Sequence, residues 1–202
     1  GWGLFNVLRA PDWLAGLASL LALDFVIWAQ HVVFHRVPAL WRLHRMHHAD
    51  LDYDLTTALR FHPLEIAISF VVKIAAVVAR GAPAWAAIAF EILLNGLALF
   101  NHANAALPKM LEPVVRAILV TPDMHRVHHS IDPAETHSNF GFNFSLWDRL
   151  PGLHRDQLLG GALVGHVDVA QAARGEEFLQ HHVRRGADAV GGDGQLAGAL
   201  AR

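Results

Sequence analysis

Apolar residues fall into three long runs, and the polar residues that separate them are where the chemistry collects. The first run covers residues 14–34, with Asp24 as its one formally charged member. About 20 apolar residues are what an α-helix needs to cross a hydrocarbon core, so the pattern predicts a first span over 14–34. Two more runs, 64–80 and 84–101, are divided by Arg80-Gly81-Ala82-Pro83. Gly and Pro there mark a turn, and the pair reads as a helical hairpin that leaves and re-enters on one membrane side. Each arm is slightly short, so tilt, local thinning or burial in protein is needed to accommodate it.

Residues 113–120 are too few to span and predict an interfacial helix. Thr121-Pro122-Asp123 follows, where Thr121 or Asp123 is placed to cap a further helix. After about Leu150 the pattern dissolves into Gly, Ala and scattered charge, so 151–202 is expected to be a divergent, poorly ordered tail. A chain opening at Gly1 is expected to have lost residues before it, and Pro11 and Asp12 interrupt the one candidate for a secretory signal. The fold class expected is all-α: a polytopic integral-membrane helical bundle formed by 1–150, with a cytoplasmic histidine-rich cap.

Composition strengthens the membrane reading. The 202 residues are 53% hydrophobic and 17% charged, with a mean hydropathy of +0.30, against roughly 25% charged residues in soluble domains. A net charge of −2 and the lack of a basic run argue against nucleic-acid binding. Arg36, Arg42, Arg45, Arg60, Lys109, Arg116 and Arg126 all fall on one side of the expected spans, against Arg80 at the hairpin turn. The positive-inside rule makes that side cytoplasmic, and a bacterial inner membrane is the expected location. Without cysteine, any metal must be held by nitrogen and oxygen.

Histidine is the candidate ligand, and there are 15. His31 and His35 are four apart at the end of the first run. His44, His47 and His48 follow, and the same spacing recurs at His125, His128 and His129. Residues three and four apart share a helix face, so each triplet is expected to lean toward one face and share a metal. His102 stands where the hairpin returns. These nine are too many for one ion, which takes four to six donors, and suit two. His62, ahead of the hairpin, reads equally as a ligand, a hydrogen-bond donor or a helix cap, whereas His137 reads as a loop residue. Asp24 lies in helical register with His31 and His35, as do Glu91 and Asn95 with His102. Both carboxylates are expected to act as polar links or as groups that orient ligand histidines, at offsets of about 10 to 17 Å that are too long for direct contact, and Arg45 and Arg126 to contact phospholipid or carboxylate.

The ordered set His31-x-x-x-His35, His44-x-x-His47-His48 and His125-x-x-His128-His129 is joined by Phe61-His62-Pro63-Leu64-Glu65, Asn139-Phe140-Gly141 and Trp147-Asp148-Arg149-Leu150. Over residues 24–150 it resembles the sterol desaturase/fatty acid hydroxylase superfamily. The resemblance implies a non-haem di-iron oxidoreductase of the membrane, either hydroxylase or desaturase. Two iron ions would be held by the three boxes and His102, O2 would be cosubstrate, and the substrate would be a lipid. An external electron donor is implied as well, a ferredoxin, cytochrome or reductase, since the chain has no dinucleotide fingerprint of its own. Two departures stand out: Ala106 replaces the second histidine that some members carry four residues beyond His102, and Pro151-Gly152-Leu153-His154 replaces a Phe-Gly-Thr-Tyr-like segment. The competing reading is a non-catalytic histidine-rich metal-binding membrane protein. A zinc metallopeptidase is disfavoured because no His-Glu-x-x-His string occurs.

Overall fold

A computed structural model describes residues 2–50 and 53–155, and within them the fold is all-helical. The helices are α1 (Leu4–Val7), α2 (Asp12–Arg36), α3 (Pro38–His48), α4 (Pro63–Arg80), α5 (Ala84–Asn101), α6 (Glu112–Ile118), α7 (Pro122–His128), α8 (Pro133–Thr136) and α9 (Leu146–Arg149). A single antiparallel bridge, Leu119 to Phe144, is the only β pairing among the described residues. Most of the expected tail, 156–202, lies outside the described residues, as do His166, His181 and His182.

Proline sets the corners. Val37 is extended (φ −96°, ψ 114°) because it precedes Pro38. The chain therefore stops α2 and restarts as α3 with proline in its first turn. That corner turns the end of α2, with His31 and His35, toward the histidines of α3. At the start of α4 the His62 ring accepts the Leu64 N–H at 3.1 Å, with Pro63 next in line. Gly81 closes α4 in the left-handed region (φ 63°), and Pro83 precedes α5, so the expected hairpin turn falls on 81–83. Thr121, rather than Asp123, caps α7: its Oγ1 accepts the Met124 N–H.

Helices α2 and α5 are long and apolar enough to cross a membrane. Their bounds contain or match the expected spans 14–34 and 84–101. The third expected span falls on α4, which is 18 residues long but carries Glu65, Lys73 and Arg80. Each charge has a partner. Lys73 Nζ lies 2.6 Å from a Glu91 carboxylate oxygen on α5, Arg80 donates to the Ala76 carbonyl at 3.0 Å, and Glu65 meets His44.

Leu23 and Ile27 of α2 pack with Phe90 of α5, bordered by Ala76, Val77 and Leu94. Near the other end of α2, the Trp85 ring lies so close to Gly16 that a Cβ there would sit 1.9 Å from Cζ2. The outer surface is apolar: Leu17, Leu21, Ile66, Phe70, Val71, Ile88 and Ile92 are exposed. The buried residues, by contrast, include seven of the candidate ligand histidines. Greasy outside and polar inside is the distribution of a protein whose surroundings are lipid.

Candidate metal centre

The nine histidines expected as ligands come together in two groups. His31, His35, His44, His48 and His128 form one, and His47, His102, His125 and His129 the other. Within each group the nearest ring nitrogens all lie within 4.8 Å of one another. The expectation that each triplet shares one ion is corrected by this arrangement. In both boxes the i, i+4 pair goes to one group and the third histidine to the other: His44 and His48 part from His47, and His125 and His129 part from His128. Successive residues on an α-helix are turned by about 100°, so His47 and His48 address different centres.

Four backbone or carboxylate oxygens fix the tautomers. His31 Nδ1 donates to the Phe140 carbonyl at 2.7 Å, His128 Nδ1 to the Ser138 carbonyl at 2.7 Å, and His102 Nδ1 to the Ala98 carbonyl at 2.7 Å. His44 Nδ1 lies 2.6 Å from Glu65 Oε1. A carbonyl or carboxylate oxygen accepts, so the proton sits on Nδ1 and Nε2 carries a bare lone pair.

Three of those bare nitrogens face each other, and the fourth, on His102, faces the other rings of its own group. His31 Nε2 is 2.9 Å from His44 Nε2 and 3.0 Å from His128 Nε2. In the other group His102 Nε2 is 3.2 Å from the Nε2 atoms of His47, His125 and His129. Two lone pairs at that distance repel unless a cation lies between them. A metal with bonds of about 2.0–2.1 Å to imidazole nitrogen places neighbouring ligands about 2.9–3.4 Å apart, so the donor set fits metal ions. His35 has neither ring nitrogen hydrogen-bonded, although it is buried, as expected of a ring whose partner is not a protein atom.

Burial keeps these rings neutral. It pushes His44 down to about 3 and His102 to about 4. His47, His48, His125, His128 and His129 are held well below the usual imidazole range by burial, reinforced by neighbouring imidazoles. Neutral imidazole is the form that binds metal.

Residues 16–152, over half of the chain, match the model of the fatty acid hydroxylase family. The chain belongs to the fatty acid hydroxylase family. That family lies within the superfamily whose boxes the sequence resembles. Alkylglycerol monooxygenase of Xenopus tropicalis is 32% identical over 158 residues, covering 75% of this chain and 33% of the relative. Ornithine lipid hydroxylase OlsE of Rhizobium tropici is 28% identical over 134 residues, covering 66% of this chain and 40% of the relative. The human alkylglycerol monooxygenase is 30% identical over 150 residues, covering 74% of this chain and 32% of the relative. This fatty acid hydroxylase chain thus spans about a third of the length of such relatives. No solved structure matches it.

The remaining sequence candidates fall outside the two groups. His62 is the cap of α4. His137 lies edge-to-face with His35, ring centroids 5.6 Å apart, but joins neither group. Asp24 and Glu91 make polar links to other residues and touch no ligand histidine, as their spacing implies: Asp24 accepts the Trp147 indole N–H at 2.7 Å, and Glu91 pairs with Lys73. Their helical offsets of seven and eleven residues, about 10 to 17 Å, put them too far along the helix. Arg126 meets the Asp123 carboxylate at 2.9 Å, in line with its expected carboxylate contact.

Sequence reasoning quoted Glu65 within the Phe61–Glu65 stretch but gave it no role, although a carboxylate in the first turn of an apolar arm is a costly residue to keep. It gave none to Phe61 either, which is stacked on His47 with ring centroids 4.2 Å apart. Tyr53 is a third omission: its hydroxyl donates to the Asn101 carbonyl at 2.8 Å while its ring lies 5.0 Å from that of His129.

Proposed function

We propose that this fatty acid hydroxylase domain catalyses the O2-dependent oxidation of a lipid C–H bond at a di-iron centre. One ion is assigned to His31, His35, His44, His48 and His128, and the other to His47, His102, His125 and His129. The observation that carries the assignment is the facing of bare Nε2 lone pairs at 2.9–3.0 Å among His31, His44 and His128, with three further Nε2 atoms gathered 3.2 Å from the bare Nε2 of His102. Bound iron supplies O2 activation through changes of oxidation state that zinc lacks.

The protein's part is to hold neutral imidazoles in place and keep water out. Glu65 and three backbone carbonyls fix four of the rings. Phe61 covers His47, and Phe140 lies edge-on to His31 and His128. Hydroxylation converts R–H, O2, two electrons and two protons into R–OH and water. The electrons require an external donor, of the ferredoxin, cytochrome or reductase class. Desaturation consumes the same reductant and removes a second hydrogen instead. Hydroxylation is the reading favoured here, because the relatives are named as a monooxygenase and a hydroxylase. A lipid substrate and a membrane setting follow from those names together with the exposed apolar faces of α2, α4 and α5. The cationic residues grouped at the histidine end support a cytoplasmic site, in a bacterial inner membrane.

The test is anaerobic purification with iron, followed by metal analysis and O2 uptake with a chemical reductant and a total-lipid extract. Two irons per chain and lipid-dependent O2 consumption are expected, with hydroxylated lipid as product. Tightly bound zinc in iron-loaded preparations, with no O2 uptake under any reductant, would instead make this a metal-binding membrane protein without catalysis.

A further inference from the structure

Two aspartates and two tryptophans lock α2 to the segment that follows α8, and they do so reciprocally. Asp24 of α2 accepts from Trp147 Nε1 at 2.7 Å, and Asp148 accepts from Trp28 Nε1 of α2 at 2.9 Å. Asp24 and Trp28 are one turn apart on α2, whereas Trp147 and Asp148 are adjacent on α9. Both carboxylates are buried. Phe25 fills the space between the indoles, with ring centroids 5.5 Å from Trp28 and 5.3 Å from Trp147. A buried carboxylate is tolerated only when its oxygens are satisfied. Here Asp148 also accepts the Phe140 N–H at 2.9 Å and the Gly141 N–H at 2.8 Å.

The second pair of bonds makes the clasp more than a structural tie. Phe140 presents its carbonyl to His31 Nδ1. The hydrogen bonds therefore close a circuit: from Trp28 to Asp148, to the Phe140 peptide, to His31, and back along α2 to Trp28 three residues earlier. Two residues before Phe140, the Ser138 carbonyl holds His128 Nδ1. Asn139 between them donates to the Met124 carbonyl at 3.0 Å and so ties the same segment to α7. Gly141 has no room for a side chain, since a Cβ would lie 2.8 Å from Val120 and 3.0 Å from Asp148.

Both rings steered by this segment belong to the five-histidine group. Among the described residues no ring of the four-histidine group takes a carbonyl anchor from it: His102 is held by Ala98 within its own helix, and the Nδ1 atoms of His47 and His125 have no hydrogen-bond partner. We infer that the Asp24–Trp147 and Trp28–Asp148 clasp is a positioning device that governs metal occupancy of the five-histidine group alone. The inference rests on reading the two groups as metal sites.

The test compares wild type, Asp148→Asn and Trp28→Phe after loading with Co(II), by metal analysis and visible absorption, with far-UV circular dichroism as a check on the fold. Asp148→Asn turns an amide toward donors that need acceptors. It is expected to lower the stoichiometry from two ions to one, keeping the absorption bands of the four-histidine site. Two ions with an unchanged spectrum would overturn the inference. So would loss of both ions from a protein of native helicity, because the control would then not be selective. If Asp148→Asn does not fold, Trp28→Phe decides. It removes one hydrogen bond, and a tenfold or greater rise in the dissociation constant of one ion is expected, against equal affinities that would refute the clasp. Wild type that binds no ion would instead strike at the metal-site reading itself, a failure visible before any variant is made.

Discussion

Replacing Glu65 with glutamine tests the link between the apolar arm and the metal centre most directly. The Glu65 carboxylate lies 2.6 Å from His44 Nδ1, and its side chain is 8% exposed, against 45% for Glu91 on the neighbouring helix. Glutamine keeps the shape and one acceptor oxygen but removes the charge that raises the basicity of the ring. Partners of this kind are typically worth about 10–100-fold in metal affinity, or about 1.4–2.7 kcal/mol. His44 belongs to the five-histidine group only, so the loss is expected at one of two ions. A chelator competition titration with Co(II) or Fe(II) reads both affinities, and one dissociation constant should rise by that factor while the other holds. Glu91→Gln serves as the control, since its carboxylate meets Lys73 and no histidine. Unchanged affinity at both sites in Glu65→Gln, or an equal loss from Glu91→Gln, would refute the argument.

Acid should unfold the metal-free protein early. The folded-state values of His44 and His102 are depressed, to about 3 and about 4, from an ordinary 6.5. The unfolded chain therefore takes up protons that the folded one refuses, so stability is complete above about pH 6.5 and is lost as the pH falls toward 4 and then 3. Thermal melts of metal-free protein between pH 7 and pH 4 should show this decline. A metal-loaded sample should resist it, because the ion competes with protons for the same nitrogens; a flat profile would contradict the burial argument. His62→Ala should cost about 0.5–2 kcal/mol through loss of the α4 cap while leaving the metal count at two, whereas loss of an ion would restore His62 as a ligand. Gly16→Ala should lower the melting temperature, since its Cβ would meet the Trp85 ring at 1.9 Å, and Trp85→Ala in the same chain should relieve the clash.

What could be read in the sequence was whatever depends on local spacing. The apolar runs gave the extents of α2, α4 and α5 to within a few residues, since helix length is set by the run and its Gly and Pro borders. The nine grouped histidines were identifiable for the same reason. Their division was not, because it depends on how α3 and α7 are rotated against each other. The anchors were hidden for another reason. Phe140, Ser138 and Ala98 act through backbone carbonyls, which no residue type advertises. Asp24 stands out as the one charged residue of the first run, but its partner lies 123 residues away, beyond any helical periodicity.

No single box supplies a whole histidine group. The five-histidine group draws on α2, α3 and α7, and the four-histidine group on α3, the end of α5 and α7. Each ion would therefore cross-link three elements, and His31 and His128, whose Nε2 atoms are 3.0 Å apart, stand 97 residues apart in sequence. Without a cation those nitrogens oppose the packing that Leu23, Ile27 and Phe90 favour. With one, lone-pair repulsion becomes ligation, and the free energy of binding adds to that of folding.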